Sequence, residues 1–427
     1  MRIVRPRDKN YPHFLRSLDR RAKASPAVEK TVRDIIAAVE REGDAAVLRF
    51  TRKFGGPQLA AGDMHVSRNE LSAAWKSLDV PTKRALTTAH KNIGDFAQRS
   101  LRRSWSARNA QGAKVGERFD AFDRVGIYVP GGTAPLVSTA LMTCTLAAAA
   151  GVPDIVAVTP AGPDGEVNRA LLGALHLAGA TEVYRVGGAQ AVAALACGTK
   201  MIRPVVKIFG PGNSYVVEAK RQLFGRVAVD LLPGPSEILV IADRAANPAW
   251  VAADLLAQAE HGADSIALLF TDSDVLLKAV TCEVERQAAE LTRGAILKKS
   301  LRSAALVLVP RLTDIIALAN NFASEHVSLQ VKNPQALATK LTTSGALFLG
   351  GYSPVAAGDF LAGPSHELPT GGAGKSFAGL TAEQFQRRTS VVEFSRAALA
   401  KSVSTIEAFA RVEGLDAHGR SASIRLA

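Results

Sequence analysis

A glutamine and a histidine three residues apart, Gln258 and His261, stand at the end of an apolar run that begins at Trp250. Asn247-Pro248 ahead of the run has the form of a helix N-cap followed by proline at the first helical position, and Gly262 has the form of a stop. On a helix the two side chains share a face, so an amide oxygen and an imidazole converge on one point. Imidazole suits zinc, and an amide oxygen suits a harder site that exchanges its substrate. The plainer reading is a capped helix end, and the pair alone does not separate the two.

Other stretches carry similar chemistry. A helical pattern over 312–322 runs into Glu325-His326, a carboxylate beside an imidazole at a helix-to-strand junction. Such a pair can serve as general acid and base, although Glu-His neighbours are also common on surfaces. The loop GDFLAGPSHELPTGG, residues 358–372, holds Asp359 and His366 among glycines and prolines with little to bury. A long loop of this composition reads as a site more readily than as packing. Glu413 and His418 follow a helix expected from about 397 to 412, where a histidine is ordinarily a solvated surface residue.

The elements that position these residues follow from composition and rhythm. At 427 residues the chain is long enough for two or three domains, and its many Ala, Val and Leu with few aromatics suit a soluble α/β protein. Cys144, Cys197 and Cys282 form no CxxC and fit a reducing compartment. There is no apolar signal core at the start, and the longest apolar run, 136–152, is broken by Ser, Thr and Gly. The expectation is a cytoplasmic protein with no membrane partner. The net charge of +13 is dispersed over predicted helices, with no basic run carrying interleaved aromatics, so we expect no nucleic-acid partner and a mild pull on anionic ligands.

Residues 1–24 read as a basic arm that packs on another part of the molecule or on a second subunit, and 26–99 as helices with no identifiable chemistry. From Arg124 onwards strands alternate with helices of about ten residues, the signature of βαβ units and a parallel sheet. The loops VPGGT, RVGGAQ and FGPGNSY follow strands, where such sheets bind ligands and helix N-termini favour phosphates. No GxGxxG is present, so a dinucleotide and a generic α/β ligand site stay equally open. After Leu232 the βα rhythm repeats through PGPSEILVIAD, IALLFT and AALVLV. The expected fold is α/β with two Rossmann-like parallel-sheet domains, one inserted in the other. The expected boundaries are a discontinuous domain of 25–123 and 233–378, an insert of 124–232, and a helical C-terminal segment of 379–427.

Taken together, RVGIYVPGG, VGGAQAVAALA, IFGPGNSYVVEAKR, GPSEILVIAD, QAEHGADS, SEHVSL, GDFLAGPSHELPTGG and EGLDAH each resemble a block of the L-histidinol dehydrogenase family, in the family's order, over about 26–425. The resemblance implies oxidation of L-histidinol to L-histidine through the aldehyde, with reduction of two NAD, as the last step of histidine biosynthesis. It implies one zinc per subunit on Gln258, His261, Asp359 and His418, with 124–232 as the NAD-binding unit. His326 would be the base for the alcohol proton and Glu325 the group that activates water for attack on the aldehyde. Ser236, His366 and Glu413 match substrate contacts, and Tyr128, Gln190 and Asn213 match NAD contacts. The family's tail crosses to the partner subunit, so Glu413 and His418 would complete the neighbour's site in a homodimer.

The sequence departs from the family at Val206, at Leu232-Pro233, at Ser365 and at Ala373-Gly374-Lys375, none of which is an implied ligand or base. Tyr128 can also be read as packing at a strand end and Gln190 as a helix-start residue. Relatives that oxidise other small polar alcohols, such as sulfonated diols, are the alternative; Glu413 and His366 favour histidinol. A non-catalytic NAD- or metal-binding regulator would be expected to lose a ligand or a base, and all are present.

Overall fold

The computed structural model describes residues 1–19, 25–131 and 135–427. Gly132 of the VPGGT turn and residues 20–24 at the end of the basic arm lie outside them. Among the described residues the strands are, in chain order, β1 (Arg2–Val4), β2 (His65–Val66), β3 (Trp105–Arg108), β4 (Lys114–Ala121), β5 (Arg124–Tyr128), β6 (Asp154–Val158), β7 (Glu182–Tyr184), β8 (Lys207–Phe209), β9 (Ala228–Val229), β10 (Glu237–Ala242), β11 (Ile266–Thr271), β12 (Ala305–Leu308), β13 (His326–Gln330), β14 (Ala346–Leu349) and β15 (Gln386–Glu393). They form two six-stranded sheets and one of three strands.

The first sheet has the order β1-β12-β11-β10-β13-β14 and is parallel throughout. Its strands are apolar on both faces, as expected where helices cover both sides. Ile238, Val240, Leu269 and Leu306 pack with Leu255 and Leu256 of helix Pro248–Ala259 and with Leu277 and Val280 of helix Asp274–Ala288. The alternate residues Leu239, Ile241, Leu268, Phe270 and Val307 pack with Ile315, Ala319 and Phe322 of helix Leu312–Phe322. Strand β13 breaks this rule on one face. Val327 and Leu329 join the second cluster, whereas His326, Ser328 and Gln330 alternate with them and are equally buried.

The second sheet has the order β2-β7-β6-β5-β8-β9, parallel except where β2 pairs with β7. Mixed α/β architecture with parallel sheets is therefore present as the strand-helix rhythm implies. The packing of the N-terminal helices differs from the expected grouping. Val32, Ile35 and Val39 of helix Pro26–Glu42 join the core of the second sheet with Val192 and Val216. Ala89 and Ile93 of helix Val80–Ser100 join its other face with Leu141 and Ile155. Residues 26–100 thus cover the sheet of 124–229, not that of 233–349, because their apolar stripes pack on its crossover helices Val137–Ala149, Arg169–Leu177, Gly188–Cys197 and Ser214–Leu223. The arm's first residues do reach another part of the molecule, as β1 beside β12.

The C-terminal segment is not wholly helical. Strand β15 pairs antiparallel with β4, and β3 completes a small exposed sheet. Three short helices follow, Arg396–Ala400, Val403–Glu413 and Asp416–Ser423. No helix among the described residues is long and apolar enough to cross a membrane.

The amino edge of the second sheet is tied by charge. Buried Arg124, at the start of β5, holds both carboxylate oxygens of Glu182 at 2.7 and 2.8 Å and lies 3.2 Å from Asp154, while Arg203 reaches both acids. The Arg124 guanidinium, against the cost of partial burial, pushes the Glu182 carboxyl down to about 2. A depressed carboxyl stabilises the fold fully above its unfolded pKa and loses that contribution as pH falls through the folded value. Arg124→Met should lower the urea unfolding free energy at pH 7 by on the order of 1–2 kcal/mol, after discounting for solvent screening. The gap should close as pH falls from about 5 towards 2. A gap that does not change with pH would mean the pair contributes nothing through Glu182.

Candidate functional site

The site begins where helix Leu312–Phe322 ends. Ala323 closes the helix in the left-handed region at φ 51°, the only non-glycine with positive φ among the described residues, and its N–H donates to Ala319 O at 2.9 Å. That conformation costs about 1–2 kcal/mol for a residue with a Cβ, and it turns Glu325 and His326 into the head of β13. Both are buried. Glu237, at the head of neighbouring β10, serves both side chains from its backbone. Its N–H donates to Glu325 Oε2 at 2.8 Å, and its carbonyl oxygen lies 3.2 Å from His326 Nδ1.

From this pair the polar groups extend across several segments. His326 Nδ1 is 3.5 Å from Glu325 Oε2, and His326 Nε2 is 3.4 Å from Asp359 Oδ1. Asp359 Oδ2 is 3.9 Å from His261 Nε2. The ring of His366 is held at 2.9 Å from the Asp359 carbonyl oxygen through Nδ1, with Nε2 3.2 Å from Thr139 Oγ1 and 3.4 Å from Glu367 Oε1. Helix Pro248–Ala259, capped by the Asn247 side chain, ends before His261, which lies in the following turn with its N–H donating to Gln258 O at 3.2 Å. Both amide atoms of Gln258 are buried with no hydrogen-bond partner among the described residues.

The charges are set by burial and by one another. Burial pushes the Glu325 carboxyl up to about 7. Burial opposes a charged His326, but Glu325 and Asp359 outweigh it and raise the imidazole to about 9. Asp359 is lowered despite its burial because His326, His366 and His261 surround it. His261 moves the other way: partial burial depresses it, which favours the neutral ring that a metal ligand needs. An unpartnered amide oxygen, a carboxylate and a neutral imidazole make a donor set that suits zinc with positions left for other ligands. Among the described residues no group of three or more His, Cys, Asp or Glu is arranged to hold an ion. Within one chain, His418 is absent from the set.

Glu413 and His418 lie on the exposed helices of the tail. Among the described residues, the hydrogen bonds of 395–427 stay within that segment. A single chain therefore brings Glu325, His326, Gln258, His261, Asp359 and His366 to neighbouring elements, with Ser236 just before β10, and leaves the two tail residues apart.

The residues matched to NAD sit at the carboxyl ends of the second sheet. Tyr128 ends β5, and its hydroxyl accepts the N–H of Gly188 at 3.0 Å. Gln190 is buried near the start of helix Gly188–Cys197 with its Oε1 unpartnered. Asn213 caps helix Ser214–Leu223, accepting from Tyr215 and Val216 at 3.0 and 3.2 Å. Gly210 is required between them: a Cβ there would lie 2.1 Å from the Tyr128 carbonyl oxygen. The buried Lys220–Asp230 pair holds that glycine by its carbonyl and N–H at 2.9 and 2.7 Å. These glycine-lined loops, each leading into a helix N-terminus, suit an anionic dinucleotide.

The first sheet behaves differently. Glu237, Glu325 and His326 stand at the amino ends of its strands, because the site uses the C-terminal end of helix Pro248–Ala259, which runs opposite to them. Carboxyl-end placement thus applies to one sheet only. Sequence reasoning also missed Glu237 and Thr139. The first acts through its backbone and through its carboxylate, which accepts the Gly371 N–H at 3.0 Å; the second is one hydroxyl in an apolar helix. Neither leaves a pattern.

A direct check of the pair is the titration of His326 in metal-free protein by NMR. It should titrate near 9, and Glu325→Gln, which removes the anion favouring the charged ring, should move it to lower pH. A ring titrating at the ordinary value of about 6.5 in both proteins would refute the coupling.

The comparisons with known proteins agree with the resemblance. The histidinol dehydrogenase family model matches residues 18–426. The chain is 44% identical over 398 residues to the histidinol dehydrogenase of a Synechococcus species, covering 93% of this chain and 92% of that one. It is 42% identical over 428 residues to that of Syntrophotalea carbinolica, covering 100% and 99%. The crystal structure of histidinol dehydrogenase from Elizabethkingia anophelis superposes with a TM-score of 0.94 at 33% identity, over 100% of this chain and 98% of that one. A match this complete leaves one assignment: the chain belongs to the histidinol dehydrogenase family of oxidoreductases.

Proposed function

We propose that the chain is a zinc-dependent, NAD-linked dehydrogenase that oxidises L-histidinol to L-histidine in the cytoplasm, as a homodimer with shared sites. The observation that carries the reading is the buried Glu325–His326 pair beside Asp359 and His261, with both amide atoms of Gln258 left without partners. Zinc, when bound, orients the substrate, and NAD accepts the hydride. The chain's own residues do the rest. In the metal-free chain Glu325 and Asp359 favour a charged His326. With part of the Asp359 charge drawn off by zinc, the neutral ring would take the alcohol proton at Nε2, the nitrogen 3.4 Å from Asp359 Oδ1, while Nδ1 stays against the Glu237 carbonyl. Glu325, with a carboxyl raised to about 7, is suited to take a proton from the water that adds to the aldehyde. Both side chains are buried, and the ring of Phe348, 5.9 Å from that of His326, helps keep other water away from the pair.

Gln258, His261, Asp359 and His418 are the proposed zinc ligands. Ser236, His366 and Glu413 are the proposed substrate contacts, and Tyr128, Gln190 and Asn213 those of NAD. The two parallel sheets are read as a zinc-and-base unit and a nucleotide unit, joined where Thr139 meets His366. The side chain of His261 is 42% exposed, which leaves room for a ligand from a second chain.

NADH formation on L-histidinol should reach two per substrate, vanish on chelation and return with zinc. Turnover unaffected by complete zinc removal would remove the metal from the reading; no turnover by zinc-loaded dimer would move the substrate to another alcohol. Mixing His261→Asn and His418→Asn subunits, each inactive alone, should restore part of the activity, because one site of each mixed dimer keeps both histidines. Mixed dimers without activity would refute the shared site.

A further inference from the structure

Asp254 is a buried carboxylate in the apolar stretch of helix Pro248–Ala259, with no ion-pair partner among the described residues. An unpaired charge in such a place is expensive and needs a reason. Its Oδ2 accepts from Ser328 Oγ and from Gln330 Nε2, both at 2.9 Å. Burial pushes its carboxyl up, and Ser328, Gln330 and the backbone N–H of Val355, first residue of the helix Val355–Phe360 that carries Asp359, partly offset that by favouring the charged form. One side chain therefore joins the helix of Gln258, the strand of His326 and the helix of Asp359.

The register follows from the two periods. Asp254 and Gln258 are one helical turn apart on the same face, a rise of about 6 Å. Ser328 and His326 are two residues apart on one face of β13, about 6.6 Å. The helix runs opposite to the strand, so fixing Asp254 at Ser328 and Gln330 brings Gln258 level with His326. A slip of one helical position would turn Gln258 by roughly 100° away from that face.

We propose that Asp254 is the positioning residue of the site: it sets the register between helix Pro248–Ala259 and β13, so that Gln258 and His261 meet His326 and Asp359. It touches none of the reacting groups. The polar face of β13 is then one device, with His326 at the chemistry and Ser328 and Gln330 as the anchor that aims the opposing helix. A leucine at position 254 would suit the apolar surroundings and leave the Ser328 hydroxyl and the Gln330 amide without their acceptor.

The test compares wild type with Asp254→Ala, Asp254→Asn and Leu255→Ala in the full-length protein. Leu255 belongs to the apolar cluster under the same helix, so its truncation loosens the helix without touching the anchor. Two readouts are used: amide hydrogen exchange over 256–263 in the metal-free protein, and zinc affinity by competition with a chelator. The zinc readout rests on the proposed function; the exchange readout does not. Asp254→Ala should speed exchange there by about ten-fold or more and weaken zinc by about 10–100-fold, the range for outer-shell partners of metal ligands. Asp254→Asn, which keeps an oxygen acceptor for Ser328 and Gln330 but sets an NH2 in place of the second carboxylate oxygen, should lose clearly less than Asp254→Ala in each. Leu255→Ala should lower the Tm while leaving zinc affinity within roughly three-fold of wild type.

If Asp254→Ala does not fold, Ser328→Ala with Gln330→Met removes the same bonds from the strand side and should give the same two losses. Exchange and zinc affinity unchanged in the anchor variants, or losses equalled by Leu255→Ala, would overturn the proposal. Wild-type protein that binds no zinc would sink the metal reading alone, and the exchange comparison would still decide on Asp254.

Discussion

A carboxylate and an imidazole buried side by side at the head of a sheet strand are the constraint to which much of this chain answers. Either group alone would be driven towards its neutral form at that depth. Together, Glu325 and His326 sustain charge, and the backbone of Glu237 serves one with its N–H and the other with its carbonyl. That arrangement exists only because β10 and β13 run parallel with Ile238 opposite His326. A shift of one residue would turn the pair to the apolar face with Val327 and Leu329. The strain at Ala323 belongs to the same account: the chain accepts a left-handed alanine to pass from helix to strand without spacer residues. Gly345 answers to it too, since a Cβ there would press to 2.6 Å against the Glu325 carbonyl.

The two parallel sheets solve complementary problems. The second presents carboxyl ends, where glycine loops let the backbone approach a ligand and helix N-termini face it. The first presents amino ends, where helix C-termini deliver side chains. Anions suit the former and cations the latter, by the direction of the peptide dipoles. A metal bound by Gln258 and His261 and a dinucleotide bound near Gly188 and Asn213 would each lie at the end of a sheet whose polarity favours it. The contact of Thr139 with His366 is where those ends come together.

Much of this was legible in the residues. Continuous apolar runs such as EILVIA and IALLFT, punctuated by helices of about ten residues, marked the parallel sheets, because strands buried on both faces have few other sequences open to them. Family blocks marked Gln258, His261, Glu325, His326 and Asp359. What escaped notice shares a physical cause. Strands β3, β4 and β15 are exposed, so WSAR and QRRTSVVE carry little apolar alternation to betray them. The allegiance of helices 26–100 depends on which crossover helices offer them an apolar outer face, a property of the assembled layers. Glu237 works through its main chain, and Asp254 interrupts an apolar helix in a way that reads as a surface residue until Ser328 and Gln330 are seen opposite it.

The tail is the remaining imbalance, and it is energetic. Helices Val403–Glu413 and Asp416–Ser423 pack mainly on each other, yet Phe409 and Val412 are 65% and 86% exposed, with Leu415 and Ile424 beside them in the open. Two short helices bury too little apolar surface to hold together on their own strength. Several exposed apolar side chains on one short hairpin suit a surface that meets another chain. The same hairpin carries Glu413 and His418, the polar residues that one chain leaves apart from the site, while the side chain of His261 is partly exposed. Covering the apolar face and filling the ligand set are then one event: a second copy that buries Phe409 and Val412 would also carry His418 towards the imidazole and carboxylate that lack it. On the proposed reading, dimerisation would be the condition for the metal site to be complete, with the hydrophobic contact supplying the free energy that ordering the ligands requires.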